Sequence, residues 1–161
     1  MENCISTASL LALLSFLGAV LAALYARWTW YEAHKANDLA VHSNRVEIYR
    51  ALNDLRYAVQ SKGVGVKTSD VVPFFRPSKE ARFYFSNQET SKKLTEYFDT
   101  CFALAECSRK LERPNISQDQ RAEIQREQDK FSGLEESLFP EVVRLVEEEL
   151  SNAVKRVPHI V

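Results

Sequence analysis

The chain has 161 residues, the length of one ordinary domain or of one small domain with an appendage. Its 21 Lys and Arg residues nearly balance its 22 Asp and Glu residues, which argues against a strongly basic nucleic-acid binder and against an acidic solvating tail. Apolar residues make up 45% of the chain, so a core can form and disorder throughout is excluded. Only 4 Gly and 5 Pro occur, too few for the frequent turns of an all-β chain.

The first feature in chain order is an uncharged segment over residues 5–26, which is 22 residues long. As a helix it would extend about 33 Å, enough to cross a hydrocarbon core of about 30 Å. The residues expected to anchor its end at the lipid headgroups are Tyr25, Arg27, Trp28, Trp30 and Tyr31. A cleaved signal peptide is the alternative, but the segment before the apolar run has no Lys or Arg and carries Glu2. We therefore expect a retained transmembrane helix.

The charges on either side of this segment predict its orientation. One acid and no base precede it, whereas Arg27, Lys35, Arg45 and Arg50 follow it. The positive flank of a span stays in the cytoplasm, so we expect a bacterial inner-membrane protein with its N-terminus outside. The predicted organisation is a short extracytoplasmic N-terminus (1–4), a transmembrane helix (5–26) and a cytoplasmic helical domain (27–161).

Small residues recur at every fourth position of the predicted span. Gly18, Ala22 and Ala26 form one row, and Ser15, Ala19 and Ala23 form the next. Such rows let two helix backbones approach closely in lipid, which predicts self-association through this face. The alternative is a span that is merely rich in alanine. The span has no ionisable residue, which argues against a proton relay or a charged substrate path through it.

The segment over residues 32–62 lacks Pro and Gly and is predicted to be helical. Its apolar residues recur at helical spacing; they are Val41, Ile48, Leu52, Leu55 and Val59. Gly63 suits the position after a helix end, so the helix is expected to stop near Lys62. Because no breaker separates this segment from the span, we expect one continuous helix from about Ile5 to Lys62.

The next segment contains a loop over residues 63–69 and two short helical pieces that begin near Asp70 and Ser78. It holds the densest aromatic cluster of the chain, which consists of Phe74, Phe75, Phe83 and Phe85. We expect all four rings in the core. The basic residues between Arg76 and Tyr84 are also compatible with contacts to lipid phosphates or nucleic acid. With Glu80 among them, a core with a polar rim is the favoured interpretation.

Two further helices are predicted from their N-terminal signals. Ser86-Asn87-Gln88-Glu89 fits a capping box and opens a helix that should end at Arg113, before Pro114.

Residues 117–120 form a second capping box, and the helix they open should bend or break at Phe139-Pro140 and then continue to Pro158. Its apolar pattern starts with Ile124, Phe131, Leu134 and Leu138. No convincing strand pattern occurs. The sequence thus predicts an all-α fold, in which the transmembrane helix continues into a long helix of a three- to four-helix antiparallel bundle.

Candidate chemistry is sparse in this sequence. His34, Asp38 and His42 share one helix face, but one helix cannot complete a closed metal site. Residues 63–68 lack the second glycine and the preceding strand of a phosphate-binding loop. Cys101 and Cys107 lie about 240° apart around one helix and cannot bridge. We therefore predict no catalytic residues, no cofactor, no metal and no enzymatic activity.

Two sequence segments carry a resemblance to known proteins. The first is Asn44-Arg45-Val46-Glu47-Ile48-Tyr49-Arg50-Ala51-Leu52 after an N-terminal span, and the second is Glu80-Ala81-Arg82-Phe83-Tyr84-Phe85 before a capped helix. Together they resemble a loose group of uncharacterised bacterial and phage-borne single-pass membrane proteins. The resemblance covers about residues 5–113 and implies the same fold and membrane attachment. It carries no established activity, so it implies no catalytic residue.

These observations lead to two functional hypotheses. The leading one is a non-enzymatic, membrane-anchored adaptor, scaffold or regulatory subunit that contacts lipid, self-associates and binds a protein partner, without binding nucleic acid. The alternative is a membrane-perturbing effector or exclusion factor that acts through oligomerisation of its transmembrane helix.

Overall fold

The computed structural model describes residues 4–156, and the side-chain surroundings of residues 9–152. Helices and turns make up this part of the chain, and no strand occurs within it. The helices are α1 (Cys4–Lys62), α2 (Thr68–Val71), α3 (Phe75–Tyr84), α4 (Gln88–Leu111) and α5 (Gln118–Arg156), with 3₁₀ turns at Gly63–Gly65 and Val72–Phe74. The predictions of an all-helical fold and of a long apolar N-terminal helix are confirmed.

Helix α1 ends where the sequence predicts. It stops at Lys62, and Gly63 has a φ of 53°, in the left-handed region that glycine enters without a steric cost. The chain then closes a tight turn in which the Val66 amide donates to the Gly63 carbonyl at 3.2 Å. Glycine at this position therefore lets the chain leave α1 and turn back towards α2.

The chain divides into two compact units, one up to Ala40 and one from Val41 onwards. In the first unit every described side chain, from residue 9 to residue 40, is exposed. The second unit has a hydrophobic core built from α1, α2, α3, α4, α5 and the turns between them. Its fully buried larger members include Leu52, Leu55, Val66, Val71, Phe74, Leu94, Tyr97, Leu104, Val142 and Val146.

The order of contacts within the second unit gives the directions of its helices. Side-chain contacts between α1 and α5 run in reverse sequence order, since Tyr49 meets Glu147 and Arg56 meets Glu135. Between α4 and α5 the order is also reversed, since Tyr97 meets Glu135 and Ser108 meets Gln128. Helix α5 therefore runs antiparallel to α4 and to the second part of α1.

The helix starts and stops test the predictions at single-residue level. The capping box of α5 is confirmed, because the Gln120 amide donates to Ser117 Oγ at 3.2 Å and the Ser117 amide donates to Gln120 Oε1 at 3.3 Å. The prediction for α4 is wrong by one residue. Its cap is Asn87, whose Oδ1 accepts from the Glu89 amide at 2.9 Å.

Helix lengths differ from the predictions at two places. Helix α4 ends at Leu111 rather than at Arg113. Helix α5 continues through Pro140 without a break, and Pro140 is exposed. The predicted end of this helix at Pro158 lies outside the described residues.

The aromatic cluster is only half buried, which corrects the prediction for two of its members. Phe74 and Phe85 are in the core, but Phe75 is 50% exposed and Phe83 is 68% exposed. Helix α3 turns the small residues Ser78 and Ala81 inward, and both are nearly inaccessible. A ten-residue helix that packs through small residues lies close to its neighbours and leaves its larger side chains outside.

Two glycine substitutions should change stability in opposite directions. Gly63→Ala should destabilise the second unit by about 1 kcal/mol, because alanine is strained at a positive φ. Gly133→Ala should stabilise it by up to about 1 kcal/mol, because alanine favours a helix interior and its methyl group would meet nothing within 4 Å. Denaturant unfolding of the detergent-solubilised protein, followed by circular dichroism, measures both. Equal effects of the two substitutions would contradict this account of Gly63.

Candidate functional site

The sequence predicts six residues for self-association and five as membrane anchors. All eleven lie on α1 in the first unit, and all are exposed. The six small residues are Ser15, Gly18, Ala19, Ala22, Ala23 and Ala26. At 100° per residue they fall within an arc of about 140°, so the two predicted rows form one face. A Cβ atom added to Gly18 would meet nothing within 4 Å, so this face has no intramolecular partner at Gly18.

The five predicted anchor residues are distributed differently from the small ones. At 100° per residue, Tyr25, Arg27, Trp28, Trp30 and Tyr31 cover an arc of about 220° of the helix, wider than the arc of the small residues. The rings of Tyr25 and Trp28 meet edge to face at 6.4 Å, and Trp30 stacks on His34 at 5.5 Å. Amphipathic side chains over so wide an arc are compatible with a helix that meets a membrane interface.

The most buried polar site lies in the second unit and joins α1, α4 and α5. The guanidinium of Arg56 forms an ion pair with the carboxylate of Glu135, and the Tyr97 hydroxyl donates to the other Glu135 oxygen at 2.5 Å. Glu135 is 2% exposed and Tyr97 is inaccessible. Arg56 also lies over the Phe139 ring at 4.7 Å. We call these residues the Arg56–Glu135–Tyr97 cluster.

The surroundings of this cluster keep its nucleophilic groups protonated. Burial, followed by the nearby Cys101 and the hydrogen bond to Glu135, holds the pKa of Tyr97 far above its ordinary value. Burial raises the pKa of the Cys101 thiol to about 12. Burial is the largest effect on Arg56 and lowers its pKa, but the hydrogen bond and the charge of Glu135, together with Tyr97, outweigh it and the pKa of Arg56 is raised. The cluster thus holds one ion pair. The Tyr97 hydroxyl and the neighbouring Cys101 thiol stay protonated and unreactive.

A second polar cluster lies where α3 meets α4. The Glu149 carboxylate accepts from the Asn87 amide at 2.8 Å and from the Ser86 amide at 3.4 Å. Arg45 is 3.9 Å from Glu149 and donates through Nε to the Tyr84 carbonyl at 2.6 Å. A carboxylate at a helix N-terminus satisfies free amides and complements the helix dipole. This Arg45–Glu149 cluster therefore fixes the start of α4 to α1 and α5.

A third cluster holds the turn after α1. The Val64 carbonyl accepts from Ser108 Oγ at 2.5 Å and from Gln128 Nε2 at 2.8 Å. Gln128 is 4% exposed and also donates to Ser108 Oγ at 3.1 Å. These hydrogen bonds anchor the turn after α1 to α4 and α5.

An open groove of mixed charge runs along α3 and α4 on the surface of the second unit. Its basic residues are Lys79, Arg82, Lys92 and Lys93, and its acidic residues are Glu89, Glu96 and Asp99. Lys93 pairs with Glu96 and with Glu141, each at 3.2 Å. Among the described residues no three His, Cys, Asp or Glu side chains come close enough to hold a metal ion. His34 and Asp38, from the predicted triad with His42, lie 3.9 Å apart in the exposed first unit.

Comparison of this chain with protein families, with curated proteins and with solved structures gave no match.

The sequence did contain a signal for the buried ion pair, which the apolar pattern obscured. Phe131, Glu135, Leu138 and Val142 follow each other at steps of four, three and four, the spacing of an inward helix face. The prediction placed Leu134 on that face, but Leu134 is 39% exposed and Glu135 is buried. A carboxylate in an apolar series is the sign that a buried base or hydroxyl must be found elsewhere in the chain.

Removal of the buried carboxylate should strongly destabilise the second unit. Glu135→Ala leaves Arg56 and Tyr97 without their acceptor, and we expect a loss of about 3 kcal/mol in unfolding free energy. The neighbouring exposed Glu136→Ala is the matched control and should change it by less than about 0.5 kcal/mol. Arg56→Met combined with Glu135→Leu should cost less than Glu135→Ala. A double variant as unstable as the single one would show that the charge pair itself supplies the stability.

The two buried cysteines should be unreactive in the folded protein. Burial raises the pKa of Cys101 to about 12 and also raises the pKa of Cys107, so the nucleophilic thiolate is disfavoured at both. In a Cys4→Ser background, a maleimide should label neither thiol in mild detergent and both after denaturation, as counted by intact mass. Rapid labelling of Cys101 in the folded protein would contradict its burial.

Proposed function

We propose that this chain is a single-pass membrane protein whose helical second unit acts without catalysis, as an adaptor, scaffold or regulatory subunit. The observation that carries the proposal is the exposure of the apolar part of α1. Between residues 9 and 26 every side chain is exposed, including Leu10, Leu11, Leu13, Leu14, Phe16, Leu17, Leu21 and Leu24. One helix is long and apolar enough to cross a bilayer, and its apolar window is not buried at all. So large an apolar surface requires lipid or a partner.

The attachment of the second unit to this helix supports the role of an anchor. The same helix, α1, supplies the exposed apolar segment and four core residues of the second unit, Ile48, Leu52, Leu55 and Val59. The reversed contact order of α5 against α1 and α4 supports the three- to four-helix antiparallel bundle. The charge difference across the span favours an inner-membrane topology with the N-terminus outside and the bundle in the cytoplasm.

The side chains of the second unit support a binding role over a catalytic one. In its three polar clusters, side chains of α1, α4 and α5 bond to each other and to backbone groups at Val64 and Asn87. Its buried nucleophiles are protonated. The proposed activity is therefore the presentation of a rigid helical surface at a membrane to a protein partner.

Membrane integration can be tested by placing charge in the span. Leu14→Arg with Leu17→Arg puts two charges near the middle of residues 5–26, where each costs about 3 kcal/mol in insertion. We expect the wild type to stay in the membrane pellet after an alkaline carbonate wash and the double variant to shift to the supernatant. Gln125→Arg with Ser137→Arg, on the exposed surface of α5, is the charge-matched control. Release of the wild type by the same wash would refute the anchor.

A second candidate function is membrane perturbation by oligomers of the span, favoured by the single face of small residues around Gly18. Gly18→Leu should weaken self-association in detergent, because leucine holds the two backbones apart. Val20→Leu, which lies on the other side of the helix, is the control. Gentle solubilisation and pull-down of the tagged chain separate the two functions. A stoichiometric second protein supports the adaptor, whereas homo-oligomers that leak ions from vesicles support the effector.

A further inference from the structure

We draw no further inference here: the strongest candidate, the open groove of mixed charge along α3 and α4 with the exposed rings of Phe75 and Phe83 beside its basic side chains, carries nothing, because its basic and acidic side chains nearly balance and nothing in the described part of the structure shows what covers it.

Discussion

The buried carboxylate of Glu135 is the constraint on which the second unit depends. One oxygen faces the guanidinium of Arg56 on α1, and the other accepts from the Tyr97 hydroxyl on α4. An ionised group at 2% exposure is tolerated only if its charge and its hydrogen-bonding sites are matched. Any shift of one helix by a turn would separate these partners. The cluster therefore selects one alignment of three helices, which apolar packing alone would leave less defined.

The other polar clusters extend this alignment along the unit. The Arg45–Glu149 cluster satisfies the free amides at the start of α4, and Ser108 and Gln128 hold the turn at Val64. Each of these clusters joins a side chain of one helix to a backbone group in a connection between helices. The helices are thus positioned by side-chain contacts to backbone groups at Asn87 and Val64 and by the Arg56–Glu135 ion pair.

Local signals in the sequence predicted the elements well, because helix ends depend on a few adjacent residues. Gly63 ends α1 through its positive φ, and Ser117 with Gln120 caps α5. Long-range choices were harder. Asn87 and Ser86 both suit a cap, and the position of Glu149 on a distant helix helps to define that end of α4. Leu134 and Glu135 are adjacent, and the choice between them depends on Arg56, which lies 79 residues earlier.

The exposure of the α3 rings also depends on long-range packing. Phe75 and Phe83 were predicted to be buried from their apolarity, but the small inward residues of α3 decide which side packs.

During synthesis, all of α1 leaves the ribosome long before Glu135 and Val142 have been added to the chain. The inward face of α1, with Leu52 and Leu55, then has no α5 to cover it. With the membrane anchor proposed above, the nascent chain would reach its membrane while this face is still open, and neighbouring nascent copies would meet when their α1 helices can still pack on each other.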